Sequence, residues 1–209
     1  MRRDVEPRAR EIARHCKGFL DDDEGMRLYE LARTHAGVGP LLEVGSYCGK
    51  STVYLGTGAK EVGGVLVCVD HHRGSEEHQP GEQYHDPELF DADARRMDSL
   101  VALRRTLRLA DLEDTAIVLV ATSTRAASVC ASGLGLVFID GGHSHATANG
   151  DYDAWSDKVA RGGVLAIHDI FFDPSEGGQA PREIYERALA SRRFETLPMT
   201  KTLGVLRRL

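Results

Sequence analysis

Five short apolar runs, separated by stretches with helical spacing, constrain the fold of this chain more than any other feature. The runs are rich in Val, Leu and Ile and are flanked by glycine or polar residues, which is typical of strands buried on both faces. They occupy residues 41–45, 64–70, 116–120, 134–140 and 162–169. The stretches with helical spacing lie between them, at residues 50–59, 93–109, 123–131 and 146–160. Strands that alternate with helices predict an α/β fold with a doubly wound, mostly parallel sheet.

The two ends of the chain differ from this alternating middle. Residues 1–40 have helical patterns without strand signals, whereas the tail "RFETLPMTKTLGVLRRL" has two strand-like runs joined by a turn near residues 198–202. A chain of 209 residues fits one domain. We therefore expect a single domain over residues 1–209, with N-terminal helices as a cap (1–40) and a Rossmann-like core (41–209) that ends in an antiparallel strand pair. The cap could serve as a lid or as the interface of a homodimer.

Charge and composition argue against several classes of partner. The formal net charge is −6 at pH 7, and nucleic-acid binding usually needs a basic surface to meet phosphates. No stretch approaches the roughly 20 apolar residues of a membrane span, and the N-terminal residues lack the apolar segment of a secretory signal. The four cysteines have no CxxC spacing, which favours a reducing compartment over a disulfide framework. We expect a cytoplasmic protein that binds neither nucleic acid nor membrane.

A glycine-rich loop follows the first strand, in "LLEVGSYCGKST", and opens a helix. Glycines there permit a tight turn and close approach of a ligand at the positive end of the helix. A phosphate-binding P-loop needs four residues between its first glycine and Gly-Lys-Ser, but only three separate Gly45 from Gly49. Glu43, just before the turn, would repel a pyrophosphate and attract a cation. A nucleotide hydrolase with a variant phosphate loop, for which "LVFID" is the magnesium strand, stays as the alternative.

Asp70 ends the second strand, about 20 residues beyond the glycine loop, where a carboxylate can accept hydrogen bonds from two ribose hydroxyls. A ligand with a ribose, with positive charge near Glu43 and without a phosphate fits S-adenosylmethionine. Thr122 and Ser123 follow the third strand, at the edge where the adenine is expected; alternatively they only cap the next helix. The predicted cofactor-binding residues are Glu43, Gly45, Ser46, Gly49, Ser51, Asp70, His71, Thr122, Ser123 and Asp140.

Acidic and histidine side chains end the fourth and fifth strands. Asp140 ends the fourth strand, in "FIDGGHSH", and His168 and Asp169 end the fifth. Neighbouring parallel strands finish at the same edge of a sheet, so we expect these side chains to share one small cation. Carboxylate oxygens with few other ligands suit Mg²⁺ or Mn²⁺. His168 is either a third ligand or a donor to the ligands, and a zinc site built from His143, His145 and His168 is the alternative.

Four segments together resemble a known family: "LLEVGSYCGKSTVYLG", "VLVCVD", "LVFIDGGHSHATANGDYDAW" and "ARGGVLAIHDIF". They are similar to the class I S-adenosylmethionine-dependent methyltransferases and, within them, to the metal-dependent O-methyltransferases that include catechol-type and macrolide-sugar enzymes. The resemblance covers about residues 40–170. It implies S-adenosylmethionine as the cofactor and a cation held by Asp140, His168 and Asp169. A narrower resemblance, to the methyltransferases of methylmannose polysaccharide synthesis, rests on "HCKGFL", "DDDEG" and "VDHHRGSEEHQPGEQYHDP".

His143 lies three residues after Asp140, beyond two glycines that let the chain turn back over the cation. A sugar hydroxyl has a high pKa, a bound metal lowers it, and a base can then take the proton. An imidazole titrates near neutral pH, and the resemblance implies a base histidine at this spacing. We predict His143 as the general base, with Asp140 as the second catalytic residue. A supporting structural role for His143 is the alternative.

The polar loop at residues 71–92 is the predicted acceptor side. Its side chains offer many hydrogen-bond partners and little apolar area, which suits a polyhydroxylated acceptor better than a catechol. The candidates are His72, Arg73, Glu76, His78, Gln83, Tyr84 and, outside the loop, His145, which could instead cap its helix. We expect transfer of a methyl group to a sugar hydroxyl on a small molecule or oligosaccharide. A catechol-type acceptor and a nucleoside-binding domain without catalysis are the alternatives.

Overall fold

The computed structural model describes residues 5–82 and 84–209, so Gln83 and residues 1–4 of the predicted cap lie outside the described residues. The helices are α1 (Val5–His15), α2 (Asp22–His35), α3 (Lys50–Glu61), α4 (Leu100–Leu109), α5 (Ser123–Ala127), α6 (His145–Trp155) and α7 (Ala180–Ala190). The strands are β1 (Leu41–Val44), β2 (Leu66–Asp70), β3 (Phe90–Asp91), β4 (Arg96–Met97), β5 (Ala116–Val120), β6 (Leu134–Ile139), β7 (Val159–Ile167), β8 (Phe194–Thr200) and β9 (Leu203–Arg208). Short 3₁₀ turns lie at Glu76–His78, Pro87–Leu89 and Ser156–Lys158.

The main sheet has the strand order β5-β2-β1-β6-β7-β9-β8, and β3 and β4 pair separately as a hairpin. The five neighbouring strands β5, β2, β1, β6 and β7 are parallel to one another, whereas β9 pairs antiparallel with both β7 and β8. The predicted Rossmann-like sheet with an antiparallel C-terminal pair is therefore confirmed. The strand order reverses between β1 and β6, and open α/β sheets bind ligands at this switch point, beyond the carboxyl ends of the strands. The loops that follow β1, β2, β5, β6 and β7 meet at this edge.

The apolar core lies on both faces of the sheet. Successive strand residues point to opposite faces, so Leu41 packs with the side chains of α1, α2 and α3 while Leu42 packs with those of α5, α6 and α7. Both residues have no exposed surface, and the same holds for Leu136 and Val137 in β6. Burial on both faces explains why these strands consist of continuous apolar runs. Within the described residues, no helix is long and apolar enough to cross a membrane.

The predicted helix over residues 93–109 begins only at Leu100, because its first third forms the β3–β4 hairpin instead. Aspartates stabilise this alternative by accepting local backbone hydrogen bonds. The Asp91 carboxylate accepts the N–H groups of residues 93 and 94, and the Asp98 carboxylate accepts that of Leu100. The helical spacing over the segment 100–107 was correct, but Met97, which continues the same pattern, lies in β4, so the spacing did not locate where the helix begins.

Other boundaries also differ from the prediction. The helices predicted at 123–131 and 146–160 end at Ala127 and Trp155, and the fifth strand begins at Val159 rather than at residue 162. Helix α7 was not predicted. These differences leave the carboxyl ends of the strands in place, so His168 and Asp169 still directly follow β7.

Candidate active site

A cavity of about 490 Å³ opens at the carboxyl ends of the parallel strands. Its wall includes the glycine loop after β1, the ends of β2 and β5, the turn after β6 and the end of β7. Segment 17–20, between α1 and α2, closes another side. The predicted cofactor residues on the wall are Gly45, Ser46, Ser51, Asp70, His71, Thr122, Ser123 and Asp140. One cavity therefore brings together most of the residues predicted to contact a nucleoside.

Gly45 allows the glycine loop to lie directly against the turn after β6. Its φ is +90°, and a Cβ placed there would lie 2.1 Å from the carbonyl oxygen of Asp140. The next turn of the loop fixes Asp70, whose two carboxylate oxygens accept the N–H groups of Tyr47 (2.8 Å) and His72 (2.7 Å). A carboxylate has about four lone-pair sites, so Asp70 can still accept the two hydroxyls of a ribose.

The lysine of the loop does not form a phosphate site. Lys50 Nζ donates to the carbonyl oxygen of Gly18, 3.2 Å away, in the segment between α1 and α2. In a P-loop the lysine reaches the β- and γ-phosphates, whereas here it ties the loop to the N-terminal helices. The geometry gives no support to the nucleotide-hydrolase alternative.

Glu43 lies behind the cavity wall and not on it. The side chain is fully buried, and its two oxygens accept hydrogen bonds from the hydroxyls of Ser51 and Thr52, both at 2.6 Å. Burial raises the pKa of Glu43 to about 7. Gly49 also lies off the wall, where it caps α3 with a φ of +95°. Neither residue lines the cavity, and Ser51 is the hydroxyl through which Glu43 reaches the wall; their part in cofactor binding stays a prediction.

Thr122 and Ser123 line the cavity at the start of α5, directly after β5. Ser123 Oγ accepts the indole N–H of Trp155 at 2.7 Å, and Trp155 has no exposed surface. The indole therefore packs α6 against the sheet and does not line the cavity.

Asp151 is a cavity residue that the sequence analysis missed. It lies on α6, is only 3% exposed and lines the cavity beside Ser123, and burial raises its pKa to about 6. The signal that could have found it is helical spacing. Ala148, Tyr152 and Trp155 form the buried face of α6, and an aspartate between them lies on that face.

A cluster of acidic and imidazole groups lies where β6 and β7 end. Asp140, His143 and Asp169 each offer a ligand atom, and these atoms all lie within 4.8 Å of one another. Asp169 adopts a φ of +57°, an uncommon conformation for a residue with a side chain and one that often occurs at functional sites. Two carboxylates with one imidazole suit Mn²⁺ or Mg²⁺. The residues present therefore fit the predicted cation, although the imidazole of this group is His143 and not the predicted His168.

His143 is held from both sides by carboxylates. Its Nε2 lies 3.1 Å from Asp169 Oδ2, and its Nδ1 lies 3.2 Å from Glu77 Oε2. The hydrogen bond with Asp169, together with the nearby negative charges, raises the pKa of His143 to about 9 even though burial opposes the charge. Glu77, in the loop after β2, was not predicted, because an acid in a polar loop carries no local signal of its partner.

His168 is the most enclosed member of the cluster, with 5% of its surface exposed. Its Nδ1 lies 3.2 Å from Asp140 Oδ1 and 3.3 Å from Asp169 Oδ2. Burial disfavours the charged ring, but these carboxylates and Glu24 raise the pKa of His168 far above its usual range. Burial also disfavours charge on Asp169, yet hydrogen bonds from His143 and His168 hold the pKa of Asp169 well below its usual range.

Comparison with known proteins identifies the family. A model described as "Methyltransferase domain" matches residues 42–170, which is more than half of the chain and spans the strands that build the cavity. The chain belongs to this methyltransferase family.

Solved structures share the fold of this methyltransferase. An O-methyltransferase from Bacillus cereus in complex with S-adenosylhomocysteine is 17% identical, with a TM-score of 0.62 over 100% of this chain and 92% of the other. An O-methyltransferase of Streptomyces achromogenes involved in tomaymycin synthesis, in complex with S-adenosylmethionine, is 15% identical, with a TM-score of 0.60 and coverage of 100% and 92%. A methyltransferase from Podospora anserina bound to S-adenosylhomocysteine is 15% identical, with a TM-score of 0.64 over 99% of this chain and 88% of the other.

The predicted acceptor residues of the methyltransferase separate into two groups. Glu76 and His78 line the cavity. His72 is buried, with Nδ1 2.8 Å from Ser99 Oγ, because its backbone turns inward to let Asp70 accept its N–H. The other three candidates also lie off the wall: Arg73 pairs with Asp98 at 3.1 Å, Tyr84 packs on Phe19, and His145 pairs with Glu183 at 2.8 Å.

The position of His145 also bears on the predicted zinc alternative. Its side chain is 69% exposed and pairs with α7, away from the cavity wall. The structure therefore does not bring the three histidines of that alternative into one site. His145 also does not cap α6; Ser144 does, by accepting the N–H of Thr147.

The sequence analysis also missed two aromatic rings beside the cavity, those of Phe19 and Tyr47, which pack on the predicted Tyr84 and His78. Phe19 and Tyr84 pack edge to face with ring centres 5.0 Å apart, and the rings of Tyr47 and His78 lie 5.3 Å apart. Phe19, Tyr47 and His78 line the cavity. The acceptor side thus has more apolar ring surface than its loop composition indicated.

Proposed function

We propose that this methyltransferase uses S-adenosylmethionine to methylate a hydroxyl oxygen, with a divalent cation between Asp140 and Asp169. The observation that carries the proposal is a single cavity with Asp70 on one side and the Asp140–His143–Asp169 cluster on the other. The first side suits a nucleoside and the second suits the activation of a hydroxyl. The cofactors bound by the Bacillus and Streptomyces structures support the choice of donor.

In this proposal His143 removes the proton of the acceptor hydroxyl. Glu77 accepts the Nδ1–H of His143 and orients the ring. Nε2, which faces Asp169, is the nitrogen that takes the proton once a bound cation favours the neutral ring. Asp140 and Asp169 hold the cation, and His168 lies against both carboxylates. A bound divalent cation would lower the pKa of the acceptor hydroxyl. The remaining contribution of the chain is alignment, because the transfer is an in-line displacement from an already reactive sulfonium.

A sugar is the first-choice acceptor. Lys17, Glu76 and Glu77 supply charged hydrogen-bonding groups to the wall, and Phe19 and Tyr47 supply ring faces suited to the apolar side of a pyranose. The loop sequence is similar to that of the mycobacterial 1-O-methyltransferase of methylmannose polysaccharide synthesis, so the proposed position is the 1-hydroxyl of a 3-O-methylmannoside. The same two rings also favour a second candidate, a catechol.

The proposal also includes a cytoplasmic location. All four cysteines are free thiols, which suits a reducing cytoplasm. We also propose a homodimer through the N-terminal helices, which size-exclusion chromatography with light scattering would test.

Calorimetric titration tests the cofactor first. We expect S-adenosylhomocysteine to bind and ATP to give no heat of binding. In an activity assay, chelation of divalent ions should abolish methyl transfer to a 3-O-methylmannoside or to a catechol. Binding of ATP without S-adenosylhomocysteine would overturn the proposal. Transfer that survives chelation would remove the cation from it.

A further inference from the structure

A buried contact joins the first turn of α2 to the cation cluster. Glu24 is 3% exposed, although it lies in the acidic run 21–24 that would ordinarily face solvent. Its Oε2 lies 3.0 Å from His168 Nε2. Its Oε1 accepts both the N–H and the hydroxyl of Thr202, each at 2.8 Å, from the turn between β8 and β9.

This arrangement goes beyond the capping of a helix. Glu24 does complete the capping box of α2, since its carboxylate accepts the N–H of Asp21 at 3.3 Å. An exposed glutamate could make that contact equally well. Burying a carboxylate is costly unless it is paired and hydrogen-bonded, and here His168 and Thr202 provide those partners.

The contact determines which nitrogen of His168 faces the cluster. Because Nε2 is bound to Glu24, the ring presents Nδ1 to Asp140 Oδ1 (3.2 Å) and Asp169 Oδ2 (3.3 Å). The Phe138 ring packs edge to face against the imidazole, with centres 6.2 Å apart, and restricts its rotation. Histidines that ligate metals usually donate their other N–H to a carboxylate in this way.

We infer that Glu24 is a positioning residue for the cation site: it accepts the Nε2–H of His168 and so keeps Nδ1 directed at Asp140 and Asp169. The N-terminal helices thereby form part of the site, and are not only a lid or an interface. The inference rests on the cation of the proposed function and on no other part of that function.

The test compares Glu24→Gln with Asp22→Asn. Glu24→Gln keeps the shape and can still accept from Thr202, but it turns an amide N–H₂ toward His168 and so favours a proton on Nδ1. Asp22→Asn removes the same charge from the same helical turn, where Asp22 contacts Arg10 and Tyr54 and not the cluster. Both are titrated with Mn²⁺ by calorimetry without acceptor, and S-adenosylhomocysteine is titrated separately.

We expect Glu24→Gln to bind Mn²⁺ about 10- to 100-fold more weakly than the wild type, with unchanged affinity for S-adenosylhomocysteine. Asp22→Asn should retain wild-type Mn²⁺ affinity. In a His168→Ala background, Glu24→Gln should cause no further loss. Wild-type Mn²⁺ affinity in Glu24→Gln, or an equal loss with and without His168, would overturn the inference.

A measurement on the unmodified chain covers the case in which Glu24→Gln does not fold. Nitrogen-15 NMR of the cation-loaded wild type should show a proton on His168 Nε2, and an Nε2 without a proton would contradict the inference. A wild type that transfers methyl groups but binds no Mn²⁺ would remove this inference and the cation, while leaving the methyltransferase proposal intact.

Discussion

At the scale of single residues, His143 has to serve two opposing requirements. The carboxylates of Asp169 and Glu77 orient the ring, but they also favour its charged form and raise its pKa to about 9. A general base must be neutral before it accepts a proton. The positive charge of a cation beside Asp169 would favour the neutral ring, so cation binding and base function are linked in this cluster.

We expect His143→Ala to lower the rate of methyl transfer by about 100-fold or more, the usual contribution of a general base. Affinity for S-adenosylhomocysteine should remain, because His143 lies in the cluster and not beside Asp70. Steady-state kinetics and calorimetry provide the two measurements. His145→Ala is the matched control, since this exposed side chain pairs with Glu183 outside the cavity. Equal loss in both variants would contradict the role of His143.

The same residue predicts a pH dependence of stability in the cation-free protein. The pKa of His143 is raised on folding, so its charge contributes stability that is fully present below about pH 6.5, the unfolded value, and is lost as the pH rises through about 9. We expect the loss to be on the order of 3 kcal/mol in the free energy of unfolding. Urea unfolding of wild type and His143→Gln, below and above this window, measures it. The difference between the two proteins should shrink as the pH rises.

At the scale of elements, the loop between β1 and α3 packs directly on the turn after β6. Gly45 makes the contact possible, because any Cβ there would lie 2.1 Å from the carbonyl oxygen of Asp140. The glycine loop after β1 and the cluster of Asp140, His143 and Asp169 are therefore one packed unit. A displacement of either should affect the other.

Gly45→Ala tests this coupling, with Gly133→Ala as its control. The two glycines have similar φ values, +90° and +96°, but a Cβ on Gly133 meets nothing within 4 Å. Both variants should lose on the order of 1–2 kcal/mol of stability from backbone strain. Only Gly45→Ala should lose more than this and also bind S-adenosylhomocysteine more weakly. Chemical denaturation and calorimetry measure both effects, and identical behaviour of the two variants would refute the coupling.

The strands were easier to predict than the short elements. The central strands β1 and β6 are buried on both faces, and their continuous apolar runs placed 41–45 and 134–140 within one residue. The run 116–120 placed the edge strand β5 without error, although Ile117 and Val120 are about half exposed. The β3–β4 hairpin has only two residues in each strand, which is too few to show an alternating pattern of apolar and polar residues. The start of α4 depended on the hydrogen bonds of Asp98, which apolar spacing does not report.

At the scale of the whole molecule, the predictable part of the site is the part that topology alone brings together. Asp70, Asp140 and Asp169 each follow a parallel strand, so a correct strand order was enough to place them at one edge. Glu24 and Glu77 reach the same cluster from a helix and a loop that lie far from it in sequence. Their partners depend on tertiary packing, and a single sequence gives no pattern for that.

The hydrogen bonds of Glu24 also have a consequence for how the protein is made. Glu24 and Thr202 are 178 positions apart, and His168 is 144 positions from Glu24. A chain emerges from the ribosome at about 5–20 residues per second, so the N-terminal helices are exposed for many seconds before their last partner is synthesised. During that time the carboxylate of Glu24 lacks both partners, so the packing of α2 against the end of β7 and the β8–β9 turn can be completed only after nearly the whole chain has been made.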